Sequence, residues 1–167
     1  DYNESCHSIH GAKEETLTHY IYSCELSDKL QKQKTVRVLE IGFGTGLGMM
    51  ATHSAQKENP SVIFFTSFEI DEELVKYFFS HHPEYPFEKI DGDYFGEMNH
   101  FKYRICIGNA RKKIQHIGFE KYDCIYQDAF SPKNNKELWT VEWFKDLKFI
   151  SHEQTILSTY CASSIAR

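Results

Sequence analysis

Glu40-Ile-Gly42-Phe43-Gly44-Thr-Gly46 is the segment of this sequence with the clearest chemical potential. Glycines let a chain turn sharply and let backbone N–H groups come close to a bound group. A helix that starts after such a loop also offers unpaired donors to a polar ligand. The spacing departs from two familiar phosphate-binding patterns. Counted from Gly42, the last position of G-x-G-x-x-G/A is Leu47; counted from Gly44, it is Met49; and G-x-x-x-x-G-K-[ST] is absent. An ordinary strand-to-helix turn is the competing reading. Glu69 ends an apolar run 23 residues after Gly46, a distance that suits a carboxylate accepting the ribose hydroxyls of a nucleoside. A solvated acid at a strand end is its alternative. Asn109, in Gly108-Asn109-Ala110, can accept from an adenine amino group and donate to a ring nitrogen, and is equally suited to capping a helix. In Asp128-Ala-Phe130-Ser-Pro132-Lys133-Asn134, a carboxylate can hold the N–H groups of an amine, stabilise charge that develops on nitrogen, or take up a proton. Phe130 and Pro132 would then shape the pocket. A capping Asp and a turn Pro are the plainer reading.

These residues need elements to position them. Val36–Ile41, Val62–Glu69, Tyr103–Ile107, Tyr122–Gln127 and Gln154–Tyr160 read as five strands from their apolar, β-branched runs. Helices are expected over about 47–57, 71–81, 110–117 and 137–149, the last with Leu138, Val141, Phe144 and Leu147 on one face. Trp139 and Trp143 lie one helical turn apart and read as packing. Asn59-Pro60 and Pro83 to Pro86 read as breaks, and Asp71 as a cap. Residues 13–34 read as mostly helical, within an N-terminal helical segment of about 1–35. Residues 87–101 are the hardest to read, with a helical insertion as the expectation. Strands alternating with helices imply an α/β, doubly wound, mainly parallel sheet. Each of the candidate residues above ends or follows a strand, and ligands of such sheets bind at the carboxyl ends of the strands.

One domain spanning 1–167 is the natural expectation at this length. Hydrophobic residues make up 41% and charged residues 26%, which argues against disorder. A net charge of −5 argues against coating nucleic acid by charge alone, although Lys133, Lys136, Lys145 and Lys148 could meet phosphates as well as form a solvated face. The five cysteines include no C-x-x-C pair and read as reduced thiols of a cytoplasmic protein. His7, His10, His81 and His82 lack further ligands at metal spacing, so no metal is expected. No run is long and apolar enough for a membrane span.

The E-x-G-x-G-x-G loop resembles the first motif of class I S-adenosylmethionine-dependent methyltransferases, a Rossmann-like fold. Gly42-Phe-Gly-Thr-Gly-Leu47, Ser67-Phe-Glu69 and Asp128-Ala-Phe-Ser-Pro-Lys-Asn134 followed by Leu138-Trp139, with Glu15-Thr16 upstream, resemble more narrowly the MnmC-like tRNA methyltransferases. That resemblance implies S-adenosyl-L-methionine as cofactor and tRNA as partner. The reaction it implies is N-methylation of the aminomethyl group of wobble 5-aminomethyl(-2-thio)uridine. It also implies a flavin-dependent oxidase, here as a separate partner, that prepares the amine. Glu40 would face the methionine end of the cofactor, with Gly42, Phe43, Gly44 and Gly46 around it, Glu69 on the ribose and Asn109 at the adenine. Asp128 would border both cofactor and substrate, with Glu15, Thr16, Lys133 and Asn134 toward the substrate. The sequence departs from the family at Gly48, Asn109 and Ala129, where Asn, Asp and Gly are usual. It ends soon after the fifth strand, so a truncated C-terminus lacking the last two strands and a basic tail is expected. Transfer of a methyl or aminopropyl group to a small amine, and a non-catalytic domain that keeps the cofactor fold, are the alternatives.

Overall fold

A computed structural model describes residues 17–118 and 120–160. The strands are β1 (Thr35–Ile41), β2 (Val62–Glu69), β3 (Glu88–Ile90), β4 (Asp93–Met98), β5 (Phe101–Ile107), β6 (Tyr122–Gln127) and β7 (Ser151–Thr159). They form one sheet in the order β3-β4-β5-β2-β1-β6-β7. The pairs joining β5, β2, β1, β6 and β7 are all parallel, which gives the doubly wound arrangement expected from the sequence. These are the five strands read from the apolar runs. The helices are α1 (Leu26–Lys32), α2 (Leu47–Gln56), α3 (Glu72–His81), α4 (Ala110–Lys113) and α5 (Val141–Phe149). Among the described residues, no helix is long and apolar enough to cross a membrane.

β1 lies at the centre of the five parallel strands, and its alternation splits the core in two. Val36 and Val38 face a layer that holds Met49 of α2 and Val75, Phe78 and Phe79 of α3. Leu39 and Ile41 face Ala110 of α4 and Trp143 and Leu147 of α5. Burial on both faces explains why these strands read as near-continuous apolar runs. Trp143 is fully buried, and its indole donates to Gln127 Oε1 at 3.0 Å, while Gln127 Nε2 donates to Leu138 O at 2.9 Å. This relay fixes the end of β6, immediately before Asp128, to the helical layer beneath it.

One expectation is corrected. Residues 88–98 are an antiparallel β-hairpin on the β5 edge, not a helical insertion. Asp91 and Gly92 both adopt positive φ (51° and 89°), as a tight primed turn requires, and Asp-Gly is a favoured pair for it. Residues 17–34 are mostly helical, as expected, in two pieces. A π-helical turn, Leu17–Tyr22, is separated from α1 by Glu25 in the left-handed conformation (φ 53°). Two expected helices are also shorter than expected and end or begin in 3-10 turns, at Ile114–His116 and Lys136–Trp139.

Replacing Trp143 by Phe keeps an aromatic ring but leaves Gln127 Oε1 without its buried donor. The expected loss is about 1–3 kcal/mol, read as a lower urea midpoint with an unchanged slope. An unchanged midpoint would show that the relay does not hold the end of β6.

Candidate active site at the carboxyl ends of the strands

Parallel pairing sets the geometry. Register places Glu40 opposite Ser67 on one side and Tyr126 on the other, so the carboxyl ends of β1, β2 and β6 lie together. Glu40, Glu69 and Asp128 therefore share one end of the sheet. The glycine loop leaves β1 there. Gly42 N and Phe43 N donate to Phe68 O at 3.0 and 3.2 Å, and Asp128 N donates to Ile41 O at 3.0 Å.

Glycine is required at two points of this loop. Gly42 has φ +95°, and a Cβ there would lie 2.8 Å from Asp128 O. The loop after β6 thus rests directly on the loop after β1. Gly46 has φ +80°, and a Cβ there would strike the Phe78 ring at 2.4 Å. Gly44 differs: the direction of its missing side chain is open, with nothing within 4 Å. The Phe43 ring is buried edge-on against Phe78 at 5.1 Å, so only the backbone of Phe43 is available to a ligand.

Glu69 Oε2 accepts from Gly44 N at 2.9 Å, and Oε1 accepts from Ile70 N and Asp71 N at 2.8 and 2.9 Å. The carboxylate joins the glycine loop to the start of α3. Asp71 caps that helix by accepting from Glu73 N at 3.0 Å. Glu40 is 1% exposed, and Ser67 Oγ donates to its Oε2 at 2.7 Å. Burial pushes its carboxyl well above the ordinary carboxylate range; the Ser67 bond opposes this, and Asp128 and Glu69 add to it. A Cβ at Gly48 would lie 1.9 Å from Glu40 Oε1, so a side chain there would require the carboxylate to shift.

Asp128 is exposed and accepts from the Tyr20 hydroxyl. The segment after it is pinned from below: Tyr160 OH donates to Ala129 O at 3.0 Å, and Trp139 Nε1 to Phe130 O at 2.8 Å. Pro132 is buried, and Lys133 and Asn134 are exposed beyond it. Asn109 caps α4 by accepting from Arg111 N at 2.9 Å, and its amide donates to Glu137 at 3.0 Å. It lies just past the carboxyl end of β5, so the capping reading describes its contacts here. Glu15 and Thr16 lie outside the described residues, as do His7, His10, Cys6 and Cys161. Tyr20 is the site residue that sequence reasoning missed. Its only signal is a position four residues after Thr16, and the 108-residue separation from Asp128 hides the contact.

An open groove lined by Arg37, Phe64, Phe95, Lys102 and Arg104 lies toward the amino ends of the strands, away from the three carboxylates. Its cations are paired within the protein: Arg37 with Glu120 at 2.8 Å, Lys102 with Glu97 at 3.4 Å and Arg104 with Asp93 at 2.8 Å. Among the described residues, no group of three or more His, Cys, Asp or Glu is placed to hold a metal ion.

Comparisons with known proteins bear on the family and the fold. A family model described as S-adenosyl-L-methionine-dependent methyltransferase matches residues 71–167. The tRNA 5-methylaminomethyl-2-thiouridine biosynthesis bifunctional protein MnmC of Polaromonas naphthalenivorans is 26% identical over 175 residues, covering 94% of this chain and 27% of that protein. Its counterpart in Leptospira interrogans is 27% identical over 152 residues, covering 81% and 23%. The chain thus spans about a quarter of the length of these relatives. Among solved structures, MnmC2 from Aquifex aeolicus superposes with a TM-score of 0.74 at 24% identity, covering 92% of this chain and 52% of that one. An O-methyltransferase from Bacillus cereus in complex with SAH superposes at 0.54 and 17% identity, covering 93% and 66%. These likenesses show the Rossmann-like class I methyltransferase fold.

The raised Glu40 carboxyl makes the ligand-free chain pH-sensitive. Between the ordinary carboxylate range and its own raised value, the folded chain binds more protons than the unfolded one, so stability falls as pH rises through that window. Glu40→Gln removes this slope. Its thermal midpoint is expected to gain on the wild type as pH rises from about 5 to 8, at about 2–4 °C per kcal/mol for a chain of this size. Parallel pH profiles for the two proteins would contradict the assignment.

Proposed function

The chain belongs to the S-adenosyl-L-methionine-dependent methyltransferases, and on that premise we propose that it methylates the aminomethyl group of a wobble uridine in tRNA. The observation that carries the reading is the cluster of Glu40, Glu69 and Asp128 around the glycine loop. The groups that act on Glu40 besides burial are a hydroxyl and two further carboxylates, with no cation among them. S-adenosylmethionine carries an ammonium and a sulfonium, and a cation is what this acidic pocket suits. When bound, it supplies a methyl group on a positively charged sulfur.

In this reading Glu40 holds the ammonium, with Gly42, Gly44 and Gly46 giving the backbone close approach. Glu69 takes the ribose. A carboxylate has about four acceptor positions; Glu69 uses three on backbone amides, which leaves one on Oε2 for a ribose hydroxyl while the loop stays tied. Asn109 borders the adenine, once its amide turns from Glu137. Asp128 acts on the substrate amine, which must be neutral to attack through its lone pair. Its carboxylate accepts an amine N–H, aims the lone pair and stabilises the positive charge that builds on nitrogen. The surplus proton then leaves through Asp128 to solvent. Phe130 and Pro132 form the wall, and Lys133 and Asn134 face the RNA, with Glu15 and Thr16 as further substrate residues. The tRNA acceptor is supported by the relatives, which are tRNA 5-methylaminomethyl-2-thiouridine biosynthesis proteins, and by the Asp128–Asn134 motif. An amine on the uridine requires a prior reaction that unmasks it, the role of a flavin-dependent oxidase partner.

The test is transfer of labelled methyl from S-adenosylmethionine to tRNA from cells that lack this gene, using the full-length gene product. Label at the wobble uridine is expected. Cofactor binding without label on tRNA would discard the acceptor and turn attention to small amines. Asp128→Ala is expected to keep cofactor affinity and lose most turnover; equal loss of both would remove its role. Glu69→Ala should weaken cofactor binding by about 1–3 kcal/mol, the scale of charge-assisted hydrogen bonds, and calorimetry showing unchanged affinity would contradict the ribose assignment.

A further inference from the structure

We propose that Tyr20 is a positioning residue for methyl transfer, holding the Asp128 carboxylate in the orientation that receives the substrate amine. The inference rests on the reading above. Tyr20 comes from the π-helical turn Leu17–Tyr22 and reaches Asp128 across 108 residues of sequence. π-Helical turns are rare and frequently accompany functional sites.

The ring is held on every side that matters. It is 3% exposed and stacks on Tyr126 with centroids 5.0 Å apart and planes 29° from parallel. The Tyr126 hydroxyl lies 3.3 Å from Thr52 Oγ1, so the stacking partner is fixed as well. The turn itself is tied down: Cys24 N donates to Tyr20 O at 3.1 Å, and Ser158 Oγ donates to His19 O. A rigid phenol therefore meets an exposed carboxylate. A fixed donor on Oδ1 restricts the rotation of that carboxylate and helps set its plane.

The chemistry of the contact favours this role. Burial and the neighbouring Asp128, Glu40 and Tyr160 push the Tyr20 hydroxyl up, so it remains a donor across the working pH range. Glu40 and Asp128 repel when both are ionised, and a donor on Asp128 favours its charged, proton-accepting form. The stacking on Tyr126 does not use the hydroxyl, so Tyr20→Phe removes the donor to Asp128 while the ring keeps its packing.

The experiment compares wild type with Tyr20→Phe, using the full-length protein. Titration of the Asp128 carboxyl carbon by 13C NMR, assigned by its loss in Asp128→Asn, needs no activity. Loss of the phenol donor should raise the Asp128 midpoint, and 3,5-difluorotyrosine at position 20, a stronger donor of the same shape, should lower it. In the methyl-transfer assay, Tyr20→Phe should move the acid limb of the pH–rate profile upward and reduce turnover about 10- to 100-fold, as misaimed reactants do, with cofactor affinity unchanged. An Asp128 midpoint that moves in neither variant would overturn the proposal. So would a loss of turnover matched by equal losses of cofactor affinity and thermal stability, with the pH profile unmoved. A shifted midpoint in a wild type that does not methylate tRNA would support the contact and reject the tRNA acceptor.

Discussion

The carboxylate of Glu69 accepts from three backbone amides that belong to two different segments, Gly44 in the glycine loop and Ile70 and Asp71 at the entry to α3. Amides at such chain reversals have no partners in regular structure, and burying them unpaired would be costly. One side chain meets the need of both reversals. It thereby fixes the loop after β1 relative to the loop after β2, and α2 and α3 follow from those two starting points. Phe43 and Phe78 then meet edge to face, and Gly46 must lack a side chain because Phe78 fills that space.

This anchoring sets the electrostatic character of the whole end of the sheet. Parallel strands bring their carboxyl ends together, and three of those ends carry an acid. Glu40 bears the cost, because it is the most buried of the three and has Ser67 as its hydrogen-bond donor. Gly48 accommodates it where the resembling family usually has Asn, and a side chain at that position would overlap the carboxylate. The close approach of Gly42 to Asp128 O completes the arrangement by resting the loop after β6 on the loop after β1. A pocket of this kind is strained by its own repulsion and relieved by a cation.

The parallel strands were legible because each is buried on both faces, which produces short β-branched runs ending at glycine or a polar residue. The positions of Glu40, Glu69 and Asp128 at strand ends followed from the same runs. The hairpin at 88–98 was not legible in this way: β3 is exposed throughout, so it carries no apolar alternation, and the Asp91-Gly92 turn was its one usable signal. The break at Glu25 depends on a left-handed residue of a type that seldom adopts that conformation. Tyr20 depends on a tertiary contact across most of the chain, for which local periodicity holds no information. Asn109 shows the opposite limit. Both of its readings rest on the same donor and acceptor atoms, and the cap is what those atoms do in the structure.

The central claim is that an acidic pocket around the glycine loop binds S-adenosylmethionine through its positive charge. Calorimetric titration with S-adenosylmethionine near neutral pH, repeated in buffers of different ionisation enthalpy, tests it most directly. A bound cation favours ionised Glu40, so saturable binding should release protons, and that release should vanish in Glu40→Gln. Absence of binding, or proton release that persists unchanged in Glu40→Gln, would contradict the account.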